Sequence, residues 1–275
     1  MKSYVLTWGG GDLATGVAIW LHRVGIRVLV VEQHQPLAVR RSVSFAQAVF
    51  DEETTVEDVH AKRIASPSRM GDCWDANQVP VLVDPELNLL QDCPSLEVRS
   101  LVLVDARMRK TNSTFPLETI PLLIGLGPGF TAGVNCHAAV ETIRGHFLGR
   151  VYWQGSTQAD TGVPEKVGHY QQERVLHTPV EGQVETFVEI GDTVAVGDQV
   201  LSVGDHLMVA PFKGVVRGLI YPGLHVEAGT KVGDIDPRED DFRCWHVSDK
   251  ALAIGGGVLE AVLTEPTIRR LLLDV

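Results

Sequence analysis

Three consecutive glycines, Gly9, Gly10 and Gly11, followed by Asp12 and Ala14, stand between a strand-like run and a helix-like run near the start of the chain. The order G-x-G-x-x-A from Gly9 to Ala14 is one form of the dinucleotide-binding fingerprint. In that chemistry Gly9 permits the turn and Gly11 lets backbone N–H groups approach a phosphate. The following helix N-terminus favours the anion. Glu32, 21 positions after Gly11 (32 − 11) and at the end of the next strand-like run, stands where an acidic side chain accepts hydrogen bonds from a ribose. Asp12 opposes this reading, because it puts negative charge where a phosphate would sit. Two readings therefore stay open, a nucleotide or pterin-nucleotide site and a tight structural turn.

A second glycine-rich stretch, "LLIGLGPGFTAG", carries Gly125, Gly127, Gly129 and Gly133 with Pro128 as a restraint. Its N–H groups could converge on an anion as a nest does. Cations for a phosphate-bearing ligand stand nearby in sequence: Arg107 and Lys110 in "DARMRK", and Arg144, His146 and Arg150 in "RGHFLGR". Taken singly, each reads equally as a solvated side chain or a surface ion pair. Cys136 and His137 are adjacent, and neighbours on a helix point about 100° apart, so they do not form a nucleophile and base with each other. Cys136 reads as structural, while His137 stays a candidate ligand contact. No catalytic residue and no metal cage stands out.

The elements that would hold these residues follow from periodicity. Tyr4–Trp8, a helical spacing to Val24, and Ile26–Glu32 read as β-α-β. Phe45–Phe50 reads as a strand and "VEDVHAKRI" as helical, with further strands at Val79–Val83, Leu101–Val104 and Leu122–Leu126. A helix is expected over Cys136–Phe147 and a strand over Gly149–Trp153, followed by a polar linker from Gln154 to Glu173. Such alternation predicts a mostly parallel sheet. Toward the C-terminus, Ala251–Leu263 has helical spacing with Ser248 as its N-cap. Three glycines inside that helix, Gly255 to Gly257, cost about 1 kcal/mol each relative to Ala. They imply close backbone approach to another element or a ligand, or a break.

An internal repeat lies between. "PVEGQV", beginning at Pro179, returns as "PFKGVV", beginning at Pro211, and Gly191/Gly223, Val194/Val226, Gly197/Gly229 and Val200/Val232 keep the same offset (211 − 179 = 32). Two copies of one small unit must bury their apolar faces on each other. The pattern resembles the barrel-sandwich hybrid domain of biotinyl and lipoyl carriers. Those carriers hold a modified lysine at the tip between the halves, and Ser202–Pro211 contains no lysine, so no covalent biotin or lipoyl group is expected. The expected fold class is therefore α/β: a Rossmann-like, mostly parallel sheet domain (residues 1–170), a small all-β barrel-sandwich hybrid domain (171–237), and a C-terminal helical segment (238–275) packing on the first.

Composition bounds the function. The chain has 275 residues, 44% of them hydrophobic, and a formal charge of −11 that repels nucleic acid. No apolar run reaches the roughly 20 residues of a membrane span, and the N-terminus lacks a signal-peptide pattern. The four cysteines form no CxxC pair. These features predict a cytoplasmic protein with no nucleic-acid or membrane partner, and leave homo-oligomerisation open.

Together, "GGGDLATGVA", "RRSVSFAQAVFDEETTVEDV", "VDARMRK", "IGLGPGFTAG", "ETIRGHFLGRV", the repeat and "SDKALAIGGGVLEAVL" resemble the YqeB-type accessory proteins of selenium-dependent molybdenum hydroxylase systems, functionally akin to XdhC-type molybdenum cofactor factors. The resemblance implies an accessory protein that binds a molybdopterin-type cofactor or nucleotide and assists its modification or its delivery to a molybdenum hydroxylase apoenzyme, or acts with other maturation factors. By position it implies ligand-facing roles for Gly9, Gly11, Asp12, Gly127, Gly129, Arg144 and His146. The family pattern has an arginine before the glycine triplet, where this chain has Trp8. Alternatives to this function are an NAD(P)-dependent oxidoreductase or other nucleotide-dependent enzyme, and a scaffold for hydroxylase subunits.

Overall fold

The computed structural model describes residues 3–92, 102–108, 115–160, 162, 167 and 169–273. The chain divides into two compact units. The first comprises Met1–Pro36, Ser44–Asp160 and Val247–Val275; the second comprises Leu37–Val43 and Thr161–His246.

In the first unit the strands are β1 (Val5–Trp8), β2 (Val28–Glu32), β3 (Glu53–Val56), β4 (Val59–Ile64), β5 (Val79–Val83), β6 (Val102–Asp105), β7 (Leu122–Leu126), β8 (Thr131–Ala132), β9 (Ala138–Val140), β10 (Val151–Tyr152) and β11 (Gly155–Ser156). Nine of them form one sheet in the order β10-β9-β7-β6-β1-β2-β5-β4-β3, and β8 pairs with β11. The six inner pairings are parallel, and the outermost pairing at each edge is antiparallel. β2, β6 and β7 are buried at every position, as continuous apolar runs must be in a sheet covered on both faces.

Helix α1 (Asp12–Arg23) follows β1 directly, so the β-α-β unit forms where its periodicity placed it. The other short helices are α2 (Ala48–Asp51), α3 (Met70–Asp75), α4 (Leu89–Asp92) and α5 (Phe242–Trp245). The last two are α6 (Asp249–Thr264) and α7 (Pro266–Leu273). Ser248 caps α6, its Oγ accepting from the N–H of Ala251 at 3.1 Å. The glycines of α6 do not break it. A Cβ on Gly16 of α1 would lie 2.7 Å from the Ala251 carbonyl oxygen, and one on Gly255 would lie 2.7 Å from that of Gly16. The two helices thus meet backbone to backbone. Gly256 differs, because a Cβ there meets nothing within 4 Å. Gly256→Ala should therefore stabilise the protein by about 0.5–1 kcal/mol through helix propensity alone, a gain measurable as a higher urea midpoint.

Three local expectations are corrected. The segment expected to be helical, Val56–Ile64, supplies β4 and the turn of a β3–β4 hairpin, with Glu57 at φ 54 in the turn. Phe45–Phe50 forms 3₁₀ and α-helical turns instead of a strand, because Ala46 donates its N–H to Gly10 rather than to a neighbouring strand. The helix expected over Cys136–Phe147 is β9 and a loop. There Glu141, fully buried, accepts from the N–H groups of Thr142, Ile143 and Gln158 at 2.7–2.8 Å and so satisfies amides a helix would have used.

The second unit holds β12 (Val175–His177), β13 (Gly182–Thr186), β14 (Thr193–Val194), β15 (Gln199–Val203), β16 (His206–Val209), β17 (Gly214–Leu219), β18 (His225–Val226) and β19 (Lys231–Asp236). They form two four-stranded antiparallel sheets, β12-β19-β17-β14 and β16-β15-β13-β18. Exchanging each strand for its partner 32 positions away turns one strand order into the other, so each sheet draws two strands from each copy. The copies bury their apolar residues by exchanging strands.

The observed fold differs from the expected class. In place of a Rossmann-like domain beside a barrel-sandwich hybrid, the protein has a large mixed sheet, parallel at its six inner pairings and reversed at both edges, with three antiparallel sheets and a helical C-terminus. Hairpin β3–β4 and strand β9 stand where crossover helices were expected, and this reverses the edges.

Candidate functional site

Strand β1 has β2 on one side and β6 on the other, so the chain changes direction across the sheet between β1 and β6. The crevice outside the carboxyl ends at such a switch point is where open α/β sheets bind ligands. The loops that meet there begin with Gly9 after β1 and Ala106 after β6.

Gly9 has φ +104, and a Cβ on it would lie 3.2 Å from the Ala106 carbonyl oxygen. Its N–H continues the ladder to Val31 at 2.8 Å. Gly10 is enclosed: its N–H donates to Glu32 Oε1 at 2.7 Å, and its carbonyl accepts from the Ala46 N–H at 2.8 Å and Thr15 Oγ1 at 3.2 Å. The Phe45 N–H donates to the same Thr15 hydroxyl at 2.9 Å. Glu32 also accepts from the Gln33 N–H at 2.7 Å through its other oxygen. Burial raises the Glu32 carboxyl above the ordinary range, against the pull of those two amide bonds. Both oxygens of Glu32 are thus engaged in holding the glycine turn.

Gly11 is the open member of the triplet. It is the N-cap of α1, with φ −65 and ψ −179 and no side-chain cap bond, and a Cβ built on it meets nothing within 4 Å. Asp12 Oδ1 accepts from the Leu13 N–H at 3.0 Å. Just after β6, Arg107 donates from Nε to Asp105 Oδ1 at 2.9 Å and from its terminal nitrogen to Oδ2 at 2.5 Å. Its guanidinium carbon lies 3.1 Å from the centre of the Trp8 ring. The Trp8 indole N–H donates to the Pro85 carbonyl at 3.1 Å, fixing the ring. The residue that replaces the expected arginine is therefore a platform for a different arginine.

The second glycine stretch folds onto itself. Phe130 covers Gly125 and leaves no room there for a Cβ, and Asn135 Nδ2 donates to the Gly129 carbonyl at 2.8 Å. Gly129 has φ +92. Gly127, at φ +80, is pressed against Thr142, and a Cβ there would come within 3.3 Å of Met108 Cε, next to Arg107. His137 Nδ1 accepts from the Leu123 N–H at 2.9 Å, and burial lowers its pKa, so it is a neutral structural acceptor. Arg144 forms a two-pronged pair with Asp249 in the first turn of α6, and holds that carboxyl down to about 2. His146 packs edge-on to Phe147 at 5.1 Å. Lys110 lies outside the described residues.

Of the candidates, then, Gly9, Gly10, Gly11, Asp12, Glu32 and Arg107 gather at the ends of β1, β2 and β6, with Gly127 beside Met108. Gly129, His137, Arg144 and His146 are engaged with other partners. Sequence reasoning missed the Ser44–Gln47 segment on Gly10 and the buried Asp105 and Glu141. An acidic residue ending an apolar run, as Asp105 does, was the available signal for one of them. Among the described residues, no group of three or more His, Cys, Asp or Glu could hold a metal ion.

No protein-family model matches the chain. The chain is 44% identical over 259 residues to the uncharacterized protein YqeB of Escherichia coli K12, which covers 94% of this chain and 47% of the relative. It thus spans about half the length of the curated relative it matches. Solved structures that align include a succinylglutamate desuccinylase from Silicibacter (11% identity, 85% of this chain and 84% of that one, TM-score 0.24). A second is the ectoine utilization protein EutE from Ruegeria pomeroyi with product bound (11%, 85% of each, TM-score 0.27). A third is an aspartoacylase family protein from Mesorhizobium loti (11%, 85% and 84%, TM-score 0.25).

These findings correct the expectation of a selenium-dependent molybdenum hydroxylase accessory protein akin to XdhC. The relative is uncharacterized, so likeness to it carries no molybdenum or selenium role, and none of the structural matches is described as a molybdenum cofactor factor. The barrel-sandwich hybrid assignment gains no support from them either. At TM-scores of 0.24–0.27 the same matches lend this chain neither substrate nor hydrolytic step.

Proposed function

We propose that this chain binds a phosphate-bearing small ligand of the nucleotide class at the carboxyl ends of β1 and β6. The observation that carries the reading is Gly11: an open glycine at the N-terminus of a 12-residue helix, at the switch point of the sheet. Helix N–H groups and dipole favour an anion there. The turn is preorganised, since Glu32, Ala46 and Thr15 hold Gly10 and Ala106 abuts Gly9, so little ordering entropy is lost on binding. With Glu32 committed to the turn, the reading rests on the phosphate and assigns no ribose contact. A cytoplasmic setting goes with it, supported by the buried thiols of Cys73, Cys136 and Cys244. No single helix among the described residues is long and apolar enough to cross a membrane.

Gly11→Asp separates binding from folding. An aspartate at the N-cap accepts from the first-turn N–H groups and should raise stability by a few tenths of a kcal/mol, while its carboxylate takes the place of the ligand's anion. Calorimetric titration with ADP, ATP and NAD should show binding to the native protein and at least tenfold weaker binding to the variant. Absence of binding in the native protein, or equal affinity in a folded variant, would refute the proposal.

A further inference from the structure

The second unit carries a charge cluster whose counterpart positions in the other copy of the repeat hold different residues. Asp234 of β19 is 1% exposed, and three cations converge on it. Arg174 donates to Oδ1 at 2.9 Å, Arg217 donates to Oδ2, and Lys231 Nζ stands 3.8 Å from Oδ2. Asp236 is taken in a two-pronged pair by Arg238, with Nε to Oδ1 at 2.8 Å. Setting that neutral pair aside, the group holds three positive charges against one negative, a surplus of two (3 − 1 = 2). It does so in a chain whose net charge is −11.

Burial would raise the Asp234 carboxyl, yet Arg217, Lys231 and Arg174 together hold it below its ordinary value, so it stays ionised and supplies one negative charge. Donors also outnumber acceptors. Each guanidinium has five N–H groups, and the Nε atoms of both Arg174 and Arg217 are buried without a hydrogen-bond partner. Arg217 reaches this position through a β-bulge, where the β17–β19 register shifts between Val216 and Gly218. Bulges of this kind re-aim a side chain.

The other copy of the unit shows whether the strand pairing needs these charges. Thirty-two positions earlier, Arg217, Lys231, Asp234 and Asp236 correspond to Glu185, Gln199, Ser202 and Gly204. Those positions lie in or just beyond strands of an equivalent sheet that forms without the cluster. The charges therefore answer to something other than the strand pairing.

We infer that Arg174, Arg217 and Lys231 form a binding site for a tetrahedral dianion, phosphate or a phosphate monoester, with Arg217 and Lys231 at its accessible rim. Their side chains are 17% and 40% exposed, whereas Arg174 at 6% backs the site. A dianion matches the surplus of two charges, which a carboxylate or chloride would leave half neutralised. Its oxygens would accept from the exposed Lys231 ammonium and the part-exposed Arg217 guanidinium. The site lies wholly within the second unit and is independent of the glycine turn.

The test is calorimetric titration of the full chain with inorganic phosphate, glycerol 3-phosphate, acetate and chloride at constant pH and ionic strength. Saturable binding of phosphate or the monoester, at least tenfold tighter than acetate or chloride, is the expected result; which of the two binds more tightly tells free phosphate from an ester. Lys231→Gln, a change at a part-exposed tip, should keep the native circular dichroism and weaken that binding at least fivefold. Gly11→Asp should leave the Lys231-dependent part of that binding unchanged. Equal responses to all four anions, or phosphate binding that survives Lys231→Gln, would overturn the inference. Loss of phosphate binding only in Gly11→Asp would assign the anion to the first unit instead, which also overturns it.

Discussion

Gly257→Ala is expected to destabilise the protein by about 1–3 kcal/mol, the range of overpacked interiors. The added methyl group would fall inside the carbonyl oxygen of Gly149 and lie 2.9 Å from Val140 Cγ1. Gly149 cannot retreat easily. It sits at φ +78, where a Cβ of its own would lie 2.5 Å from the Ala253 carbonyl oxygen, and its N–H donates to the Glu141 carbonyl at 2.9 Å. Helix propensity pulls the other way by about 1 kcal/mol, so the loss comes after that gain has been offset. Two adjacent residues of one helix thus carry opposite signs, with Gly256→Ala stabilising and Gly257→Ala strongly destabilising. Urea denaturation of the pair measures both against the same reference. If Gly257→Ala shifts stability by less than about 1 kcal/mol, α6 does not press on the Gly149 turn as described.

The glycines show what sequence could and could not disclose. Three of them in a helical pattern pointed to a close approach or a break, because their cost needs a compensating contact if the helix is to continue. Nothing in the pattern told Gly255 and Gly257, which are packed, from Gly256, which is open, since their partners Gly16 and Gly149 are more than a hundred positions away. The same limit applied at the candidate site. The start of α1 after Gly11 and the strand before Gly9 were legible from local spacing. The partners that engage Gly10, Glu32 and His137 were not, because Ala46, Gln33 and Leu123 act through backbone N–H groups that every residue type carries.

Misreadings had the same physical origin. Val56 and Val59 in "VEDVHAKRI" keep a helical spacing, but pairing with β5 on one side and β3 on the other decided for the strand. Beyond Cys136, a buried carboxylate replaced the helix, and a single Glu in a mixed sequence gives no sign that its side chain turns back onto the next two amides. The 32-residue offset was legible because it repeats whole strands. That the copies exchange strands between two sheets is a property of pairing, which no offset states.

Asp234→Ala should cost about 3–5 kcal/mol, as does removal of one partner from a buried ion pair. Arg174 would keep its charge in a site where its side chain is 6% exposed, with its terminal nitrogen deprived of the 2.9 Å acceptor. Arg217 would lose its shortest contact and keep only Asp236 at 3.7 Å. The cost measures the stranded cations rather than the worth of the pair, because desolvating two charges consumes most of their attraction. The double variant Asp234→Leu with Arg174→Met separates these quantities. It removes the buried carboxylate together with the most buried cation, and should recover more than half of the loss of Asp234→Ala. A double variant as unstable as the single would mean that Asp234 acts through Arg217 and Lys231 instead. Inorganic phosphate gives an independent check on the same cluster. In Asp234→Ala the surplus rises from two charges to three, so added phosphate should raise the thermal midpoint of this variant by more than it raises that of the native protein.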